Sequence, residues 1–335
     1  MSLTILIPCY NNAPYLEESI TSLLNQTVWC DDSFSIIAIN DGSKDNTLEI
    51  LKKFEASLKN FIVINKENTG YGDSLNIAIK RVESEYVGIL EPDDLAFAKG
   101  FSTLLLKAKK YKLDICRGYF VSFNETREWI CKKKWIPNNK IFSCEDIPEV
   151  FVGGPSIWCA IYRTQFLRDN KIDFLTTPGA SFQDTSFAFK SYLKASRIMF
   201  LDVPVIKYRT DNANSSVNSK DKVSFLCQEW EEIINFCGRQ KSDSSLIRRL
   251  LPIIQNGSYQ WNLDRLDRKH KEGFIKLWSK EMKKFIKNGD VRLKWLPLSL
   301  WFKFYLLAEF PFLFVLLRKQ LGFQTDHTSL KKIRN

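Results

Sequence analysis

The stretch GILEPDD places three carboxylates, Glu91, Asp93 and Asp94, at the end of an apolar run. Like charges about 4 Å apart repel by roughly 4 kcal/mol at an effective dielectric near ~20, so such a cluster at a crevice needs protons, cations or separation. Hard divalent ions answer that need with a couple of carboxylates, completed by water and substrate phosphates. One of the acids, Asp93 or Asp94, could instead cap the helix that follows. A second acid, Asp41 in NDGS, also ends an apolar run. The glycine after it lets the backbone turn tightly, so the carboxylate either faces a crevice, where it can accept a base N–H, or caps the next turn. A third position, Asp184 in FQDTSF, opens an amphipathic helix, where an acid also complements the helix dipole.

These acids need strands and helices to bring them together. LTILIP (3–8), FSIIAIN (34–40), NFIVIN (60–65) and EYVGIL (85–90) are too continuously apolar for half-exposed strands and predict central parallel ones. Helical spacing over 14–26, 45–58 and 72–83 alternates with them, which predicts an α/β fold, a doubly wound, mostly parallel sheet with right-handed crossovers. Ligands of such sheets bind beyond the carboxyl ends of the strands, where this chain reads PCYNN, NDGSKDNT, KENTGYGDS and EPDD. Four polar loops converging on one edge describe a site. Further on, a helix is predicted over 99–111, strands over 113–122 and 158–163, a helix after the glycine loop at 179, and a strand pair over 196–209. From about residue 219 the pattern is helical to the end.

Composition narrows the classes. A length of 335 residues with 44% hydrophobic content supports a sizeable core and a second, smaller unit. Eight cysteines form no CxxC pair and only two histidines are present, which argues against structural zinc and fits reduced cytosolic thiols. The N-terminus does not resemble a secretion signal, so a cytoplasmic location is expected. Residues 268–335 hold 16 Lys or Arg against 5 Asp or Glu, which accounts for the whole net charge of +11. A basic excess in a tail suggests an anionic surface, either the cytoplasmic leaflet or nucleic acid, or else solvated helix faces. The run 293–320 is the most apolar in the chain, but Lys303, Glu309, Pro297 and Pro311 interrupt it. It reads as an interfacial segment at a membrane or as a helix packed on protein. NTGYGDS does not match GxGxxG and no GxxxxGK[ST] occurs, so neither dinucleotide binding nor a P-loop is supported.

ILIPCYN, INDGSKDNT, KENTGYGDSLN, GILEPDD and FQDTSF, in that order, resemble the motifs of family 2 nucleotide-sugar glycosyltransferases with a GT-A fold. WCAIYR and YRTDNANSS are similar to segments of bacterial members that build surface polysaccharides. The resemblance covers residues 1–216, implying a GT-A domain there; the pattern and charge of 217–335 make it a helical, basic C-terminal region that either associates with membrane or packs on protein. It implies that Asp41 contacts the uracil of a UDP-linked donor, with Pro8, Tyr10 and Asn68 shaping the nucleotide pocket. Glu91 and Asp93 take the outer places of the family's DxD, on the ribose side and the metal side, and Asp94 orients the loop or contacts the donor sugar. Glu91 departs from the pattern by one methylene.

The family's general base is usually written ED; here Gln183 replaces the Glu, which leaves Asp184 as the implied base. An acceptor hydroxyl is a poor nucleophile until a positioned carboxylate takes its proton, an effect worth typically about 10² to 10⁴ in rate. Asp211 stands where the family often has a metal-binding His, although an Asx turn fits it equally, and Lys207 or Arg209 could balance the diphosphate. Trp158 and Phe182 are candidate acceptor platforms or ordinary core aromatics.

The implied activity is an inverting, non-processive transfer from a UDP-sugar to a glycan or lipid-linked acceptor, assisted by Mn²⁺ or Mg²⁺, at the inner face of the cell membrane. Processive synthases of the family carry QxxRW, and QEWEE lacks the Arg-Trp pair. A catalytically inactive nucleotide- or glycan-binding scaffold is the alternative. A sugar nucleotidyltransferase would want a Gly-rich basic loop that PCYNNAP is not. No nucleic-acid-binding module is recognisable, and oligomerisation is left open.

Overall fold

The computed structural model describes residues 1–25, 34–212, 223–238, 245–318 and 320. The chain divides into two compact units, one of Met1–Asp146 with Pro155–Asn218 and the other of Ile147–Gly154 with Ser219–Asn335. The boundary expected between 216 and 217 lies outside the described residues.

The first unit is a mixed α/β sheet. Strands β1 (Leu3–Cys9), β2 (Phe34–Asp41), β3 (Phe61–Lys66) and β4 (Tyr86–Ile89) alternate with helices α1 (Ala13–Leu24), α2 (Thr47–Ser57) and α3 (Tyr71–Arg81). Every residue of β1, β2 and β4 is buried, which is what continuously apolar runs require when helices cover both faces of a sheet. They pair in parallel in the order β3-β2-β1-β4. Beyond a two-residue strand β5 (Leu95–Ala96) and helix α4 (Gly100–Tyr111), strand β6 (Ile115–Phe123) continues the sheet, with β7 (Glu128–Cys131) and β8 (Ile141–Phe142) at its margins.

The expected strand over 158–163 is shorter than its apolar pattern. A 3₁₀ turn over Ile157–Cys159 leads into β9 (Ala160–Arg163), which lies antiparallel between β4 and β6. Its Arg163 pairs with Asp114 at 2.6 Å, and the other Asp114 oxygen accepts the Ser196 and Arg197 N–H groups. Short helix α5 (Thr164–Asp169) and helix α6 (Gln183–Lys194) follow.

The strand pair expected over 196–209 is instead one strand, β10 (Ile198–Arg209), parallel to β6. Its register shifts on either side of Pro204, which cannot donate to the ladder, so the chain bulges there and carries on rather than turning back. This continuity delivers Arg209 and the residues after it to the acidic loop.

The second unit is helical, as expected: α7 (Val223–Gly238), α8 (Ser245–Arg265), α9 (Arg268–Lys287), α10 (Leu298–Glu309) and α11 (Pro311–Leu317). Its core is aromatic, with Trp278 edge-on to Tyr259 at 5.9 Å and to Phe314 at 5.5 Å. Among the described residues no helix is long and apolar enough to cross a membrane.

Candidate active site

The polar loops after β1, β2, β3 and β4 meet at one sheet edge. The first two are laced together: the Asn11 N–H reaches Ser43 Oγ at 3.0 Å, Asn11 Oδ1 accepts the Lys44 N–H at 2.8 Å, and the Asn12 N–H reaches Thr47 Oγ1 at 2.9 Å. Pro8 is buried within β1, whereas Tyr10 and Asn68 are exposed at the loop surfaces. Gly42 adopts φ +68°, and a Cβ there would stand 2.8 Å from the Asn68 backbone nitrogen, so only glycine lets the second and third loops meet.

Asp41 ties those loops. It is 5% exposed, and its two oxygens accept the Thr69 and Gly70 N–H groups at 2.9 Å each, with the Lys66 ammonium against the same carboxylate. Lys66 also lies 3.7 Å from Asp73. Nothing in the sequence singles out this lysine, because its role comes from reaching back to the neighbouring strand rather than from any spacing along the chain.

The acidic loop divides its labour unevenly. Asp94 is fully buried; its Oδ1 accepts the Arg209 N–H at 2.8 Å, while its Oδ2 has no partner. Burial, with the charge of Asp93 adding, pushes its pKa well up, and its bond to the Arg209 N–H makes Asp94 an anchor of the loop. It does not cap α4, which begins after Lys99. The Arg209 guanidinium donates to the Asp93 carbonyl at 2.9 Å and to Glu18 at 2.8 Å, and Lys207 pairs with Glu128 at 2.7 Å. Both cations suggested for a diphosphate are therefore engaged with protein groups, and Arg209 serves as a brace under the loop.

Asp93 Oδ2 accepts the Asn212 amide at 2.7 Å. Asp211, suggested as a metal ligand, is exposed and its Oδ2 accepts the Glu125 N–H at 3.1 Å. The residue against Asp93 is thus Asn212. Among the described residues no group of three or more His, Cys, Asp or Glu is placed to hold a metal ion. The half-buried Asp93 carboxylate still fits a hard cation that takes one or two carboxylates and completes its shell with water and phosphate oxygens.

Glu91 accepts the Tyr71 phenol at 2.6 Å. Burial raises its pKa to about 8; the Tyr71 bond opposes this rise, and the charges of Asp93 and Asp184 add to it. Asp184 stands in the first turn of α6, with its pKa raised to about 6 by burial against the lowering effect of its own and Thr185 N–H groups. The Tyr71 N–H donates to the Gly179 carbonyl at 3.1 Å and its phenol to Glu91, which ties the loop before the acid of FQDTSF to the loop of EPDD.

The loop before Asp184 is built tightly. Gln183 is buried, donating to Thr177 Oγ1 at 2.8 Å and to the Gly179 carbonyl at 3.1 Å while accepting the Ser181 N–H. An amide can donate and accept at once there; a carboxylate could only accept. Phe182, half-buried at the N-cap, holds φ +63°, a left-handed conformation that costs a non-glycine residue roughly 1 kcal/mol. Trp158 is buried, stacked on Tyr208 at 5.2 Å and edge-on to Phe120 at 4.7 Å, so its ring serves the core.

The profile of glycosyl transferase family 2 matches residues 4–171, half of the chain. This chain belongs to glycosyl transferase family 2. Among family 2 relatives, the poly(ribitol-phosphate) beta-glucosyltransferase of Bacillus spizizenii is 30% identical over 200 residues, covering 59% of this chain and 30% of that protein. The chain therefore spans less than a third of that relative's length. The crystal structure of Staphylococcus aureus TarS 1-349 in complex with UDP-GlcNAc matches with a TM-score of 0.73 at 18% identity, covering 100% of this chain and 92% of that one. The Pyrobaculum calidifontis mannosyltransferase PcManGT, in complex with GDP-Man and Mn²⁺, matches with a TM-score of 0.55 at 14% identity, covering 96% and 87%. These likenesses establish the GT-A fold for the family 2 chain.

Proposed function

We propose that this protein transfers one sugar from a UDP-sugar to a hydroxyl of a glycan or lipid-linked oligosaccharide during surface polysaccharide synthesis, inverting the anomeric configuration and releasing the acceptor after each transfer. The observation that carries this reading is the placement of Asp184 at the start of α6, behind a loop whose Gly179 carbonyl accepts the Tyr71 N–H at 3.1 Å while the Tyr71 phenol donates to Glu91 at 2.6 Å, in the loop that a donor would occupy. A pKa raised to about 6 leaves Asp184 ionised at neutral pH yet basic enough to accept a proton.

In the proposed step Asp184 takes the proton of the acceptor hydroxyl, whose oxygen forms a bond to the anomeric carbon as the bond to the nucleoside diphosphate breaks. A single displacement of this kind inverts the configuration. Asp93, together with the donor's own phosphates, would hold Mn²⁺ or Mg²⁺, which supplies charge neutralisation to the diphosphate as it departs. Glu91 and Tyr71 stand for the ribose, and Asp41 with Pro8, Tyr10 and Asn68 for the uracil.

A UDP donor is supported by the UDP-GlcNAc complex of TarS, whose fold is similar. The Mn²⁺ complex of PcManGT supports a divalent cation. A surface-polymer acceptor is supported by the poly(ribitol-phosphate) substrate in the name of the Bacillus relative.

Release of UDP from a panel of UDP-sugars, with and without Mn²⁺ or Mg²⁺, tests the reading. The expected outcome is release from one donor class that EDTA abolishes and that Asp184→Asn reduces by about 10² or more. UDP binding without release, unchanged by Asp184→Asn, would instead identify a nucleotide-binding scaffold.

A further inference from the structure

The helical unit carries an apolar face that its own core does not use. Six of the fifteen large apolar side chains exposed among the described residues fall between positions 298 and 316: Leu298 at 67%, Phe302 at 55%, Phe310 at 63%, Phe312 at 50%, Leu313 at 45% and Leu316 at 75%. Their spacing is regular. Leu298 and Phe302 are one turn apart on α10, Phe312 and Leu316 one turn apart on α11, and Phe310 occupies the corner between the helices. The opposite faces of the same helices are buried at Phe304, Leu307 and Phe314. The two helices thus form an amphipathic hairpin with aromatic tips outward.

Cations border this face. Helix α9 packs against both α10 and α11, and its Lys283 pairs at 3.4 Å with Glu309, next to Phe310 at the corner. Lys280, Lys284 and Lys287 are exposed on α9, and Arg292 and Lys294 are exposed in the link to α10, both over the Trp295 ring at 4.8 and 5.2 Å. Ammonium and guanidinium groups on the helix packed against α10 and α11 and in the link before them, together with an exposed apolar face, match an anionic bilayer surface, where acyl chains accept the aromatics and headgroups accept the cations. Two copies of this face would instead bring like charges together. Spanning is excluded for this hairpin, since the twelve residues of α10 rise only about 18 Å against a hydrocarbon core of about 30 Å.

We infer that the α10–α11 hairpin is a monotopic membrane-docking element, lying in the plane of an anionic leaflet with Phe302, Phe310, Phe312 and Leu316 inserted and the α9 lysines at headgroup level.

The test is co-sedimentation of the full chain with phosphatidylcholine vesicles, with or without phosphatidylglycerol. Binding should need phosphatidylglycerol and weaken steeply between about 0.1 and 0.5 M salt, where the screening length falls to a few ångströms. Phe302→Ser with Phe312→Ser should weaken it at least tenfold while the melting temperature and circular dichroism stay as in the parent. Lys280→Gln with Lys284→Gln and Lys287→Gln should flatten the salt dependence. Lack of binding to phosphatidylglycerol vesicles, or binding that the serine variants leave intact, overturns the inference. So does a dimer in sedimentation velocity that the serine variants convert to monomer in the absence of vesicle binding. UDP-sugar turnover in vesicle-free solution should be equal in parent and variants, so failure of docking and failure of the catalytic reading give different results.

Discussion

The Tyr71 phenol donates to Glu91 at 2.6 Å while the backbone N–H of the same residue donates to the Gly179 carbonyl at 3.1 Å. One residue at the start of α3 therefore links the acidic loop to the loop that leads into Asp184. Gly70, just before it, makes the approach possible: it holds φ +101°, and a Cβ there would lie 2.9 Å from the Thr177 carbonyl oxygen. Tyr71→Phe keeps the ring and the backbone link but removes the donor. A hydrogen bond of this kind contributes about 0.5 to 1.5 kcal/mol net, so donor KM should rise roughly two- to tenfold, with kcat changed far less. Equal KM values for parent and variant would show that the Tyr71–Glu91 pair plays no part in holding the donor.

The pH dependence of kcat/KM should carry an acidic limb near 6, from the carboxyl that burial raises to about 6 at Asp184. The base works only when ionised, so activity falls as pH drops through that value. Glu91→Gln should leave the limb in place near 6, because Glu91, raised to about 8, is already neutral at that pH. Asp184→Asn should remove the limb together with the activity. A limb unchanged in residual Asp184→Asn activity would assign the titration to another group.

The same raised values predict a cost in stability. Asp184 and Glu91 bind protons more tightly folded than unfolded, since burial lifts them from 3.8 to about 6 and from 4.5 to about 8. The stability they contribute is fully present below their unfolded values and is lost as pH rises through the folded ones. Asp184→Asn and Glu91→Gln should each stabilise the fold at pH ~8 by on the order of 1 kcal/mol and much less at pH ~4. Urea unfolding at both pH values checks this, and variants less stable than the parent at the higher pH would contradict it.

The parallel strands β1 to β4 were legible because burial on both faces writes itself as continuous Leu, Ile and Val, and the strand-end loops because Asp41, Glu91 and Asp93 follow those runs directly. Asp184 was legible as the first-turn acid of a helix. Tyr71, Lys66 and Asn212 were not. Each acts on a partner far along the chain, at Glu91, Asp41 and Asp93, and no local period encodes such a contact. The single strand β10 was hidden because Pro204 reads as a break, while in three dimensions it is a bulge.

Cation affinity should depend on nucleotide. Asp93 offers a carboxylate with one oxygen on Asn212, and no cluster of three acidic, His or Cys ligands exists among the described residues. Mn²⁺ should therefore bind weakly to the protein alone and tightly with UDP present, as read by titration calorimetry. Asn212→Asp adds a second carboxylate beside Asp93 and should strengthen binding in the absence of UDP. Strong Mn²⁺ binding to the parent without nucleotide would contradict this arrangement.

Gln183→Glu would restore the acidic pair usual at this place, yet here it should do harm. The Gln183 amide donates to Thr177 Oγ1 and to the Gly179 carbonyl, and a buried glutamate could make neither bond unless protonated. Gly179 keeps the Tyr71 N–H as a donor, so the cost is that of the lost amide bonds with a carboxylate oxygen facing a carbonyl oxygen, about 1 to 3 kcal/mol. An ionised Glu beside Asp184 would also raise the pKa of that base, moving the acidic limb of kcat/KM upward from about 6. The two effects separate experimentally, since urea unfolding reads the lost hydrogen bonds and the pH profile reads the added charge. A Gln183→Glu variant as stable as the parent, with an unmoved limb, would mean that the 177–183 loop rearranges around the new side chain, and that Gln183 does not set the position of Asp184.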